Sequence, residues 1–377
     1  MKVLFLAAAT GAGHLKAAKA LSEYIQQTDK SAKTLIIDTL KYANPIIDKL
    51  IVKTYINTLK TTPRIYGKLY NMTEEKDLIG DNINDLSNGV NKLFSFKIKR
   101  LIKDFMPDII VCTHPFSLHM VLGVREKLDR NIPIVSIITD YAVHPLWIRE
   151  GVDAYIIPHE FLINDALNKG IEQDKIYPFG IPVESKFLMK SNRMDVLEKF
   201  NLEDKLTLLI MGGSLGIGEI ESIFIKLIKS SRPLQIIVVT GTNKKLKAHL
   251  EEYSNNIYGN KNIVILSYVN EVNELMEISD MIITKPGGLT VSESLIKELP
   301  ICIMSPIPGQ EEKNADFLTN CGVAARIREH DSIDSFLCQV VDNNIRVESM
   351  KKIAKILAKP NSCKDIYSLM CSLIQGE

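Results

Sequence analysis

The sequence predicts an α/β protein with two Rossmann-like domains, their parallel sheets facing across a cleft, and three observations carry that reading. Apolar strand-like runs alternate with helix-like segments almost throughout, the pattern of parallel sheets covered by helices. Each half opens with a strand, a glycine turn and a helix: Thr10-Gly11-Ala12-Gly13-His14 in the first, Gly212-Gly213-Ser214-Leu215-Gly216 in the second. The chain of 377 residues also exceeds the roughly 250–300 at which one core stops growing, so two domains are expected.

Residues 2–9 form the first strand; their apolar run is too short and too quickly followed by a glycine turn to be read as a signal peptide. A helix over 13–26 presents Leu15, Ala18, Leu21 and Ile25 on one face, and 33–40 is the second strand. Residues 41–105 break the rhythm with a helix-like, basic and aromatic insertion containing Tyr55, Tyr66, Tyr70, Phe94 and Phe96. Strands resume at 108–113, 132–139 and 154–158. The connector Tyr177-Pro178-Phe179-Gly180-Ile181-Pro182 divides a domain at 1–180 from one at 181–360, with a terminal helix at 361–377. Strands at 206–211, 234–240, 262–266, 281–284 and 301–305 build the second domain.

A net charge of +1 gives no case for nucleic acid as a partner. The basic excess is local: Lys41, Lys49, Lys53, Lys60, Arg64 and Lys68 face only Asp48 between residues 41 and 70. Six scattered cysteines without CxxC spacing read as reduced core residues of a cytosolic protein. No segment reaches the roughly 18–20 apolar residues of a membrane-spanning helix.

The densest chemical signal is Met281 to Glu293, a buried strand, the pair Gly287-Gly288 and the start of a helix. Amides at a helix start point outward, the helix dipole favours negative charge there, and glycine lets a diphosphate approach the backbone. Glu293, about one turn in, is placed to accept hydrogen bonds from ribose hydroxyls. The Gly212–Gly216 turn offers a second set of amides through Gly213 and Ser214, and Gln310 and Glu311 suit sugar hydroxyls at another strand end. In the first half, His14 at its glycine turn and Asp140 in Thr139-Asp140-Tyr141-Ala142-Val143-His144-Pro145-Leu146-Trp147 both follow strands. Either can serve as the base for an attacking hydroxyl. His114, His144 and Trp147 line the same edge, and no histidine pair has metal-ligand spacing on a helix.

In combination, Gly11-Ala12-Gly13-His14, the 139–147 segment, Gly212-Gly213-Ser214, Lys285-Pro286-Gly287-Gly288-Leu289-Thr290 with Glu293, and Pro308-Gly309-Gln310-Glu311-Glu312 closely resemble the diacylglycerol glycosyltransferases. These are the bacterial processive glucosyltransferases and plant-type monogalactosyldiacylglycerol synthases of glycosyltransferase family 28. The resemblance runs from Val3 to about Ile327. It implies a GT-B fold and an inverting, metal-independent transfer of glucose or galactose from UDP-glucose or UDP-galactose to diacylglycerol or a glycosyl-diacylglycerol, with no cofactor.

The resemblance further implies donor contacts at Gly213, Ser214, Gly287, Gly288, Leu289, Thr290, Glu293, Gln310 and Glu311, and a uracil contact through the backbone of Val269. Acceptor contacts fall to Gly13, His114, His144 and Trp147, with His14 and Asp140 catalytic. Lys313 departs from the glycine many relatives carry in this loop, which touches only sugar preference. On this reading the insertion docks the enzyme on anionic lipids at the inner face of the cell membrane through Lys53, Lys60, Arg64 and Lys68. Three rivals remain: N-acetylglucosamine transfer to a polyprenyl-linked peptidoglycan precursor, UDP-sugar epimerisation, and nucleotide-sugar binding by a regulator without catalysis.

Overall fold

The computed structural model describes residues 1–9, 12–43, 96–128, 130–255, 262–328 and 330–376. Gly11 and residues 44–95 of the insertion, with Lys53, Lys60, Arg64 and Lys68, lie outside the described residues. Two compact units are present: Met1–Ser185 with Pro308–Gln310 and Lys359–Glu377, and Lys186–Ile307 with Glu311–Ala358.

The first unit holds a six-stranded sheet of β1 (Lys2–Ala7), β2 (Lys33–Asp38), β3 (Ile109–Cys112), β4 (Ile134–Ile137), β5 (Ala154–Ile156) and β6 (Ile176–Tyr177). Every pairing is parallel, and the order is β2-β1-β3-β4-β5-β6. Because both faces of a parallel sheet are covered, β1, β3, β4 and β5 are buried almost end to end and read as unbroken apolar runs. Helix Ala12–Thr28 covers one face with Ala18, Leu21 and Ile25. The C-terminal helix Ser362–Gln375 joins that same core through Ile366 and Met370, which the sequence alone leaves unassigned.

The second unit repeats the plan with β7 (Thr207–Met211), β8 (Gln235–Val239), β9 (Ile263–Leu266), β10 (Met281–Thr284), β11 (Ile301–Met304) and β12 (Ala324–Ile327), in the order β12-β11-β10-β7-β8-β9. Helix Ile220–Lys229 buries Ile223, Phe224 and Leu227 on this sheet. Two strands are additions to the sequence expectation: β6, inside the proline-glycine connector, and β12.

In each sheet the chain order reverses once, between β1 and β3 and between β7 and β10. At such a point the two neighbouring connections leave toward opposite faces and open a crevice at the carboxyl ends of the strands. Cys112 and Cys302 are buried within β3 and β11, whereas Cys338 is exposed, a correction to its reading as a core residue. No described helix is long and apolar enough to cross a membrane.

Candidate active site

In the second unit both glycine turns leave the reversal point, one after β7 and the other after β10. Helix Gly288–Ile296 begins immediately, and its first intrahelical bond runs from Val291 N to Gly287 O at 3.0 Å. The amides of Gly288, Leu289 and Thr290 therefore precede the helical ladder. Gly287 has φ −69 and ψ 134, a conformation open to any residue, and a Cβ placed there would meet no protein atom within 4 Å. Nothing in the fold demands glycine at 287, and the open space leaves the backbone there accessible. Glu293 lies on the same helix and is 4% exposed.

The first turn is rigid. Gly216 (φ +57) packs so closely that a Cβ would lie 2.0 Å from the Thr240 carbonyl oxygen, and a Cβ on Gly241 (φ +59) would lie 2.4 Å from that of Ser214. Thr242 N donates to Ser214 O at 2.9 Å and Asn243 Nδ2 to Gly216 O at 3.2 Å, interlocking the 212–216 turn with the loop after β8. This second loop, 240–243, escaped the sequence reading.

Lys285, part of the 285–290 motif, has no role assigned from the sequence. Its ammonium contacts Glu311 Oε1 at 3.0 Å, with both side chains 13% exposed. Glu311 Oε2 accepts from Ile307 N at 2.8 Å, and Asn314 Nδ2 ties the following helix to Pro286 O at 2.9 Å. Each carboxylate oxygen of Glu311 keeps a lone pair for a hydroxyl. Ser305, directly after β11, adopts φ +40, and its buried hydroxyl finds no hydrogen-bond partner among the described residues. Such left-handed strain on a non-glycine residue costs about 1–3 kcal/mol and concentrates at functional edges. Val269 follows β9 beside the exposed Tyr268, and Gln310 opens helix Gln310–Asn320.

In the first unit, His14 is the third residue of helix Ala12–Thr28, after β1, with Gly13 just before it. Its Nδ1 lies 2.7 Å from the carbonyl of Thr113, after β3, and 2.9 Å from Thr139 Oγ1, after β4. Thr113 Oγ1 returns a bond to His14 O at 3.0 Å, so the two sides of the reversal point are latched together. The His114 ring stands edge-on to His14, centroids 4.7 Å apart.

Burial lowers the His14 pKa below the ordinary 6.5, while the Asp140 carboxylate and the Thr113 carbonyl pull it back up. Burial drives His114 further down, helped by repulsion from His14 and His119. Asp140 is 8% exposed, close enough for its charge to act on His14.

His144 and Trp147 sit lower in the same segment. His144 Nδ1 accepts from Leu146 N at 3.1 Å and caps the turn Pro145–Trp147, whose Trp147 is 3% exposed. The structure thus brings His14, Asp140, His114, Thr113 and Thr139 together, and gives His144 and Trp147 a part in holding the backbone of the segment. Among the described residues no group of three or more His, Cys, Asp or Glu side chains is placed to hold a metal ion.

Two family models match, monogalactosyldiacylglycerol (MGDG) synthase over residues 14–183 and the glycosyltransferase family 28 C-terminal domain over residues 207–366. Among similar proteins is a processive diacylglycerol beta-glucosyltransferase of Bacillus licheniformis, 28% identical over 97% of this chain and 93% of the relative. That of Bacillus subtilis is 29% identical over 97% and 93%. Across both matched regions the chain is similar to the diacylglycerol glycosyltransferases of glycosyltransferase family 28.

The two parallel sheets give it the GT-B fold. Its solved structural neighbours include MurG of Acinetobacter baumannii, 17% identical with TM-score 0.64 over 98% of this chain and 99% of that one. A UDP-GlcNAc 2-epimerase of Neisseria meningitidis is 14% identical with TM-score 0.62 over 99% and 100%. These likenesses concern the fold alone.

Proposed function

We propose that this protein transfers a hexose, glucose in the first instance, from a UDP-sugar to diacylglycerol or a glycosyl-diacylglycerol, inverting the anomeric carbon without a metal ion. The relatives are named for a beta-glucosyl product, which inversion of an alpha-linked UDP-glucose would give. The observation that carries the reading is His14, an imidazole at the reversal point of one sheet whose Nδ1 lies 2.7 Å from the Thr113 carbonyl and whose pKa burial lowers.

In the transfer step the acceptor hydroxyl gives its proton to His14 Nε2 while its oxygen bonds to the anomeric carbon. The bond from that carbon to the β-phosphate oxygen breaks, and its electron pair leaves with UDP. Asp140 offsets the charge gained by the imidazolium. On the donor side, the amides of Gly213, Ser214, Gly288, Leu289 and Thr290, the helix dipole and the Lys285 ammonium stabilise the departing diphosphate in place of a cation. Glu293 holds the ribose, Val269 the uracil, and Gln310 and Glu311 the sugar. No cofactor takes part. Anionic membrane lipids would gather the enzyme at its acceptor, through side chains outside the described residues.

A pH profile separates the two candidate bases. With His14 as base, activity needs its neutral form, so kcat/KM falls as pH drops through the His14 pKa, at a value under 6.5. Since Asp140 raises that pKa, Asp140→Asn should move the acid limb to lower pH and leave a measurable plateau. Loss of turnover at every pH in Asp140→Asn, with donor binding intact, would instead make Asp140 the base.

A further inference from the structure

Five histidines lie in the first unit, and their hydrogen bonds divide them four to one. His114, His144 and His159 each accept at Nδ1 from a backbone amide two residues on, from Phe116, Leu146 and Phe161, at 3.1, 3.1 and 3.2 Å. His119 points Nε2 at the Leu146 carbonyl, 3.1 Å away, and receives Arg149 Nε at Nδ1 at 3.5 Å. A ring nitrogen that accepts carries no proton, and a ring nitrogen that meets a carbonyl must donate. All four are therefore Nε2–H imidazoles when neutral. His14 is the reverse, because its Nδ1 faces the Thr113 carbonyl at 2.7 Å and only an N–H can satisfy a carbonyl oxygen.

We infer that Thr113 and Thr139 are positioning residues that hold His14 in the Nδ1–H tautomer and so set its Nε2 lone pair toward the acceptor. The Thr113 carbonyl takes the larger share of the Nδ1 proton and the Thr139 hydroxyl oxygen, at 2.9 Å, the smaller. The two threonines follow different strands, β3 and β4, so one ring nitrogen is met by two separate elements of the sheet. The bond from Thr113 Oγ1 to His14 O at 3.0 Å keeps the helix start from drifting off that carbonyl. Among the described residues the His114 imidazole and the charge of Asp140 also act on the ring. Neither replaces the Nδ1 contact: Asp140 supplies charge, and His114 meets the ring edge-on. The opposite tautomer would set the Nδ1 lone pair against a carbonyl and put a proton where the acceptor's proton must arrive.

This inference rests on His14 being the base of the proposed transfer, and its test separates the two. Full-length protein with 15N-labelled histidine, at a pH where the imidazoles are neutral, is read by long-range 1H–15N correlation. One ring is expected with a protonated Nδ1, lost in His14→Gln, against Nε2–H for the other four rings of this unit. Thr139→Val is expected to mix the His14 tautomers and lower kcat roughly 10-fold with donor KM unchanged. Thr139→Ser, which keeps the hydroxyl, restores both. A wild-type His14 protonated at Nε2 overturns the inference, as does a Thr139→Val enzyme with wild-type tautomer and rate. A protein that transfers no hexose to lipid defeats the proposed function while the spectrum still reports the tautomer.

Discussion

His14→Ala is expected to lower kcat by roughly 100- to 10,000-fold, about 3–5.5 kcal/mol of transition-state stabilisation, while the donor KM stays within about threefold. The magnitude follows from what the ring does. An acceptor hydroxyl is a poor nucleophile until its proton leaves, and burial lowers the His14 pKa, which favours the neutral ring a base needs. Removing it leaves Asp140 in place but deprives the site of the imidazole anchored at the Thr113 carbonyl. Donor affinity should not respond, because the amides proposed to hold the diphosphate belong to the second unit. Single-turnover assays at saturating donor and lipid measure this directly, and turnover close to wild type would remove His14 from the chemistry.

Gly216→Ala should abolish most donor binding, raising the Kd for UDP more than roughly 10-fold, and should destabilise the protein by about 2–4 kcal/mol. Two costs coincide at this residue: a left-handed φ of +57 and a Cβ 2.0 Å from the Thr240 carbonyl oxygen, which is backbone and cannot swing aside. The turn must move away, and the bonds from Thr242 N to Ser214 O and from Asn243 Nδ2 to Gly216 O go with it. Gly213→Ala is the control for stability alone, since it shares the positive φ of +68 but a Cβ there meets no protein atom within 4 Å. Calorimetric titration with UDP and thermal unfolding of both variants test the interlock. Equal UDP affinity in Gly216→Ala and wild type would show that the turn needs no support from the loop after β8.

Much of the architecture is legible in the sequence because parallel strands buried on both faces leave long apolar runs. The segments 281–284 and 206–211 stand out for that reason, and the glycines after them mark the turns. Strand β6 is not legible: two residues, Ile176 and Tyr177, give no periodicity, and the prolines beside them read as a connector. Strand β12 is hidden by its brevity and by Arg326, whose guanidinium turns out to Glu312 at 2.9 Å. The C-terminal helix shows its amphipathic pattern, but a pattern names no partner; only folding shows that Ile366 and Met370 pack with Leu21 and Ile25.

The site divides along the same line. Glycine turns and strand-end acids announce themselves locally, so Gly287, Glu293, His14 and Asp140 are nameable from spacing. Thr113 and Thr139 are not, since they stand 99 and 125 residues from His14 and only the strand order β1-β3-β4 brings them to one ring. Lys285 looks like one more lysine until its ammonium is found beside Glu311, 26 residues on. The four histidines that cap turns or meet carbonyls carry the same residue type as the proposed base, and their hydrogen bonds alone distinguish them.

The central claim is hexosyl transfer to a lipid hydroxyl, and one measurement meets it. Purified protein is incubated with diacylglycerol vesicles and, separately, UDP-glucose, UDP-galactose and UDP-N-acetylglucosamine, with a chelator present, and the extracted lipids are analysed by mass spectrometry and anomeric NMR. The account predicts a beta-linked hexosyl-diacylglycerol, formed from UDP-glucose at a rate the chelator does not change. Unmodified lipid accompanied by epimerised or hydrolysed donor, or a product that carries only N-acetylglucosamine, would contradict it.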